Sequence, residues 1–434
     1  MKKQTWLWSL IMLPAFLIGD ATASAFGTYG INSEDFETQK AERLAARMLS
    51  ITANQNLSRK QLKELSQVTN QLRYFGPQGL NAAVIARKIQ AENGTDSRQL
   101  ELIDQQLDII AGQKQAIACQ LYWYKSLDAA KARSNELDRP ILSLRMLGNL
   151  DKELSCANSR FFRQVLYTNP EIASLLRQRF ILHWQPVRDV PIATIDFGNG
   201  RKLRQPIIGN SVHFVLNKDG RVIDALPGLV TPDAFIRWTH SVLNLHHEVQ
   251  LLSESERKRK IQLWHRERAQ RRRQQSELTI RDNQMVIDLN PLDPKWKLAA
   301  ERLKLTSGVL TRSRLDKKSS NASAAMRLAP LKMAAELPVL RMVDALAPRA
   351  EQDSFFNLYG LQPKLDDWYT QNLETGDDEF LTHRIYEELF LMPLDDPWLG
   401  LSPDDRYIAL ENRGRHNAET SNISGTEALN TSTN

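Results

Sequence analysis

The sequence predicts a mixed α/β core with helical regions before and after it. Three observations carry that expectation. Strand-like apolar runs alternate with helical stretches between about residues 119 and 247. Two hairpin turns, Gly198-Asn199-Gly200 and Asp219-Gly220, fall inside that span, and helical periodicity governs both flanks. A βαβ pattern followed by ββα implies a mixed sheet with helices on its faces.

The chain begins with Lys2 and Lys3, an apolar run "WLWSLIMLPAFLIG" and the small-residue segment "DATASA". That order has the form of a secretory signal peptide over residues 1–25, with cleavage expected after Ala25 or Ala23. Its apolar core is shorter than the roughly 20 residues a membrane span needs. The mature chain is therefore expected to be periplasmic or otherwise exported, without a transmembrane segment. Residues 36–115 read as a helical segment: Phe36, Leu44, Met48 and Ile51 lie near one stripe, and Ser58 with Gln61 forms a capping box. Helical stretches near 78–92 and 97–111 follow, separated by "NGTDS".

In residues 116–247 the rhythm changes. "CQLYWY" is a short strand candidate, Ser126 is a fitting N-cap for "SLDAAKARSNEL", and "RPILSLRML" is a buried strand. "CANSRFFRQVLYT" is helical, "NPEIASLLRQRF" starts with Pro170 in its first turn, and "FILHWQPV" is a strand. Two hairpins and the helix "TPDAFIRWTHSVLNL" finish the unit. Residues 248–282 predict a basic connecting helix, 283–410 a helical C-terminal region, and 411–434 a disordered tail.

The order of elements, the "NKDGRVIDALPG" hairpin and the terminal helix resemble the thioredoxin fold. The nearer likeness is to extracytoplasmic thioredoxin-like proteins, whose domain opens with a "W-Y...L..A...A" helix before the first buried strand. The resemblance covers about residues 119 to 247. It implies that Cys156 stands at the first cysteine of a Cys-x-x-Cys motif, Ser159 at the second, and Ser211 at the proline that borders the substrate groove. Two of the three positions depart from the family pattern, and "GNLDKELS" before Cys156 is longer than usual.

The chemistry rests on Cys156. A thiol at a helix start meets unpaired amide N–H groups and the positive end of the helix dipole, which favours the nucleophilic thiolate. Arg160 and Arg163 add to that effect and Glu153 opposes it. The functional reading makes Cys156 and Ser159 the catalytic pair for monothiol exchange or retention of protein thiol clients, with the Ser159 hydroxyl donating to the sulfur. Serine cannot resolve a mixed disulfide, so net dithiol chemistry is disfavoured. Two other readings stand beside it: a small buried residue, or one end of a disulfide with Cys119 in an oxidising compartment. Ser211 is expected in a trans peptide, which alters the groove. A noncatalytic thioredoxin-fold interaction or scaffold protein of the cell envelope is the competing class.

Composition excludes several other classes. Two cysteines are too few for a disulfide scaffold, and no Cys/His spacing indicates a metal site or cofactor. His240 and His247 lack a third ligand, and His213 alternates with apolar neighbours as a core residue does. The acidic stretch "LDDPWLGLSPDD" reads as turns. The formal net charge of +6 is concentrated in residues 257 to 273, with nine Lys or Arg against one Glu. That run fits either a solvated helix or contact with an anionic envelope polymer or lipid surface; nucleic acid is not expected outside the cytoplasm.

Overall fold

The computed structural model describes residues 33–54, 56–206, 209–283, 353–354, 356–371 and 377–400. The segment expected to be a signal peptide, residues 284–352 and the expected C-terminal tail lie outside the described residues.

Four helices open the described chain: α1 (Ser33–Thr52), α2 (Arg59–Tyr74), α3 (Pro77–Glu92) and α4 (Ser97–Ala111). The predicted capping box is present, with Ser58 accepting from the Gln61 amide and the Gln61 side chain accepting from the Ser58 amide. The buried stripe of α1 is Ala41, Ala45 and Met48, at the spacing that lines one helical face. Phe36 instead points to water, so the stripe is drawn by smaller residues than the sequence suggested. At Gly79 a Cβ would fall 1.9 Å from the Leu72 carbonyl oxygen, so the crossing of α3 over α2 requires glycine.

The bundle is tied to the rest at the end of α4. Gly112 adopts a left-handed conformation, its carbonyl accepts from Trp184 Nε1 at 2.7 Å, and Arg73 donates to the carbonyls of Ile110 and Trp123. The expected strand "CQLYWY" does not form. Cys119 closes the short helix α5 (Ala116–Cys119), Gln120 takes a left-handed conformation, and one bridge pairs Tyr124 with His183.

A mixed four-stranded sheet follows, made of β1 (Ile141–Leu147), β2 (Ile181–Arg188), β5 (Ser211–Leu216) and β6 (Val222–Pro227) in the order β2-β1-β5-β6. β1 and β2 are parallel; β5 runs antiparallel to β1 and β6 antiparallel to β5. All seven residues of β1 are buried, as expected for a strand covered on both faces. The crossover from β1 to β2 holds α7 (Ala157–Phe161), a π-helical turn (Phe162–Leu166) and α8 (Pro170–Arg179). Helix α6 (Leu127–Leu137) precedes β1 with Ser126 as its N-cap. One sheet face is closed by Phe162 of the π turn and Phe235 of α9 (Pro232–Val249), both against His213.

The other predicted hairpin, β3 (Ile192–Asp196) with β4 (Lys202–Pro206), forms a separate two-stranded sheet. Beyond α9, the basic run folds as α10 (Glu254–Asn283) and packs on α11 (Gln362–Thr370), which in turn meets β6. A second π turn, Asn357–Leu361, leads into α11, and α12 (Asp378–Arg384) with a third, Ile385–Leu389, ends the described helices. Leu361, Leu365, Leu381, Ile385 and Leu399 share one apolar core with the sheet, so these C-terminal residues are part of the α/β unit.

Candidate functional site

β1 ends at a left-handed Gly148, and the loop after it delivers Cys156 as the N-cap of α7. The sulfur accepts from the Ser159 amide at 3.4 Å, doing the work usually done by a serine or aspartate oxygen. The Ser159 side chain also touches the sulfur electrostatically, but its shortest contacts are to oxygen. Its hydroxyl donates to Ser155 Oγ at 2.5 Å and is also 3.1 Å from the Cys156 carbonyl. Arg163, nearly buried, donates to Ser155 Oγ at 3.0 Å and to the Ser159 carbonyl at 3.4 Å. Thus the two serines and Arg163 form a network that fixes the first turn.

Ser211, the third residue singled out from the sequence, is beside this turn. Its Oγ accepts from Asn158 Nδ2 at 3.0 Å, and no cis peptide occurs among the described residues. Just before it, a Cβ on Gly209 would lie 2.6 Å from the Ala157 nitrogen and 3.0 Å from Cys156 Cβ. The fold therefore brings Cys156, Ser159 and Ser211 together, with the backbone at Gly209 pressed directly onto the thiol residue.

Access is the decisive property, and it is lacking. Cys156 is 0 % exposed. Burial pushes its pKa up, and the Ser159 hydrogen bonds and the charge of Arg160 do not offset it. The expected activated thiolate is corrected accordingly: desolvation outweighs the helix terminus.

C-terminal residues share the apolar core around Cys156, and Tyr386 lies close enough to interact electrostatically with the thiol. Tyr386, buried in the π turn after α12, donates to the Asn210 carbonyl at 2.7 Å, and Asn210 Nδ2 meets Met392 Sδ at 3.1 Å. Arg145 of β1 pairs with Asp378 at the start of α12. Arg188 of β2 donates to the carbonyls of Leu394 at 3.0 Å and Asp396 at 2.7 Å. One segment of the same chain is thus anchored to β1, to the end of β2 and to the residue before β5.

Cys119 does not join this group. It and Cys156 are both free thiols, so the disulfide considered from the sequence is not formed. Cys119 is held by Gln113 Nε2 at 2.6 Å, while Arg177 holds its carbonyl at 2.5 Å. Burial raises its pKa as well. Beneath the site, Tyr167 and His213 Nε2 are 2.8 Å apart, and burial lowers the His213 pKa to about 3. His183, paired with Ser143 at 2.9 Å, is lowered to about 3 by burial and then by Arg145. His240 and His247 are exposed on α9.

A second polar cluster was missed in the sequence because it lies inside the basic run. On the inward face of α10, His265 and Arg268 are buried between Asp224 of β6 and Asp366 of α11. Arg268 binds both carboxylates, Trp238 Nε1 donates to Asp224 at 2.7 Å, and Tyr369 stacks on the His265 ring at 3.8 Å. Donor atoms of Asp224, His265 and Asp366 lie within 4.8 Å of one another, a spacing compatible with a metal ion. The guanidinium of Arg268 supplies the positive charge there, so the donor set is satisfied by protein. α10 is therefore a packed helix on its inward face, rather than the fully solvated connector its composition suggested.

No family model, no curated protein and no solved structure matches this chain.

Proposed function

We propose that this chain is an exported thioredoxin-fold protein of the cell envelope that works as a noncatalytic interaction or scaffold module. The fold part of that reading is supported by strand order β2-β1-β5-β6 with one parallel pair, by a cysteine capping the helix after β1, and by the Gly209–Ser211 segment against it. The observation that carries the noncatalytic part is the complete burial of Cys156 in a core it shares with Tyr386 and other C-terminal residues. A thiol with a raised pKa and no water contact is a poor nucleophile. Ser159 supplies no resolving sulfur and spends its hydroxyl on Ser155.

Monothiol exchange with protein clients is the second reading, favoured by the convergence of Cys156, Asn158 and Ser211 at one edge of the sheet. It requires those C-terminal residues to move away. Incubation of the full chain with excess oxidised glutathione near neutral pH, read by intact mass, separates the two. The noncatalytic reading predicts no adduct on Cys156 until denaturant is added. A native adduct that forms within minutes would overturn it in favour of exchange.

A further inference from the structure

We propose that the β3–β4 hairpin is a docking surface for an anionic lipid bilayer. Its register sorts the side chains into two faces. Ala193, Ile195, Leu203 and Gln205 share one side, through the pairs Ala193 with Gln205 and Ile195 with Leu203, and Phe197, whose amide donates to the Arg201 carbonyl at 3.1 Å, continues the alternation just past β3. Thr194 with Arg204 and Asp196 with Lys202 take the other side. An apolar face of this kind normally lies on a core. Here it does not: Ile195 is 52 %, Phe197 60 % and Leu203 48 % exposed.

Charge selects the occupant. Three cations, Arg201, Lys202 and Arg204, surround the apolar face, against one carboxylate, Asp196, which pairs with Lys202 at 3.0 Å. Among the described residues, Arg201 and Arg204 meet no carboxylate. Half-exposed aromatic and aliphatic side chains bordered by unpaired arginines match the boundary between acyl chains and acidic headgroups. The tip is unobstructed as well, since Cβ atoms built on Gly198 and Gly200 would meet nothing within 4 Å. Three apolar side chains are too few to account by themselves for a stable protein interface of about 1,000 Å². A bilayer imposes no such minimum, because each side chain partitions separately.

The basic helix is the weaker contact despite its composition. In α10, Arg268 is neutralised by two aspartates, and Arg257, Lys260, Arg271 and Arg273 each face an acidic partner. Among its described side chains the large exposed apolar residue is Leu263.

This inference concerns a surface away from Cys156 and stands whether or not that thiol reacts. The test is co-sedimentation of the full chain with phosphatidylcholine vesicles and with vesicles containing about one third phosphatidylglycerol. Partition into the anionic vesicles is expected to exceed that into neutral ones roughly tenfold at low salt, and to collapse near ~0.5 M salt. Ile195→Ser with Phe197→Ser, and separately Arg201→Glu with Arg204→Glu, should each reduce it by about fivefold or more. Arg259→Glu with Arg266→Glu on the exposed side of α10 should change it less than about twofold. Equal binding to both vesicle types, hairpin variants that bind like the parent, or loss of binding through the α10 variant would each overturn the proposal.

Discussion

Replacing Arg268 with methionine tests the energetic logic of the buried cluster. The guanidinium now bonds Asp224 and Asp366 at once, and both carboxylates are fully enclosed. Asp224 would keep Trp238 Nε1 and the Ala225 amide as donors, while Asp366 would keep His265. Two anions would then share a dry space without their cation. Breaking a buried pair in this way costs about 3–5 kcal/mol, and the surviving donors place this case near ~3 kcal/mol. The pH dependence follows from Asp366. Burial alone raises its pKa, but Arg268 and then His265 outweigh that and hold it below the usual carboxylate range. Because its folded pKa is depressed, the stability it contributes is complete above its unfolded value of ~4 and is lost as pH falls below that. In Arg268→Met the carboxylate loses that preference, so the difference between variant and parent narrows in acid. Urea unfolding followed by tryptophan fluorescence, with Trp238 and Trp264 beside the cluster, measures both quantities. Adding Asp224→Asn and Asp366→Asn should recover all but ~1–2 kcal/mol, since neither carboxylate remains to be paired. A single-variant cost below ~1 kcal/mol, or a cost independent of pH, would refute the reasoning.

Tyr386→Phe removes one hydrogen bond to the Asn210 carbonyl and should destabilise by about 1 kcal/mol while raising the native labelling rate of Cys156; an unchanged labelling rate would mean that the tyrosine does not help cover the thiol. Gly209→Ala forces a Cβ within 2.6 Å of the Ala157 nitrogen and should cost ~1–3 kcal/mol by equilibrium unfolding. A cost near zero would show that the Gly209–Ser211 segment is not pressed on Cys156. His183 and His213, both lowered to about 3, stay neutral in the folded chain well below pH 6.5. Their contribution is therefore complete above about 6.5 and declines toward pH 3, by up to ~1.4 kcal/mol per pH unit for each. Imidazole NMR resonances that titrate with midpoints near 6 in the native state would contradict this.

What the sequence disclosed and what it hid separate along physical lines. Local signals were legible: the Ser58–Gln61 box, the Ser126 cap, Pro170 in a first turn, and two hairpins fixed by Gly198–Gly200 and Asp219-Gly220. Each depends on residues a few positions apart. The convergence of Cys156, Ser159 and Ser211 was also anticipated, through a resemblance in element order. The C-terminal packing around Cys156 was not, because its contacts join Arg145 to Asp378 and Asn210 to Tyr386, and neither partner carries a local sign of the other. In α10 the abundance of surface arginine concealed the inward stripe of Ile261, His265, Arg268 and Ala269. The strand expected after Cys119 failed for a backbone reason, a left-handed Gln120 that turns the chain out of extended geometry.

The central claim is that Cys156 is a buried cap, enclosed in a core it shares with the chain's own C-terminal residues. Its direct test is the rate of Cys156 modification by a small thiol reagent in the full-length Cys119→Ser chain, followed across urea concentration and pH. The account predicts modification that tracks unfolding, with no fast phase in the native state below pH 8. Rapid native modification with a reaction midpoint below the ordinary thiol value would contradict it.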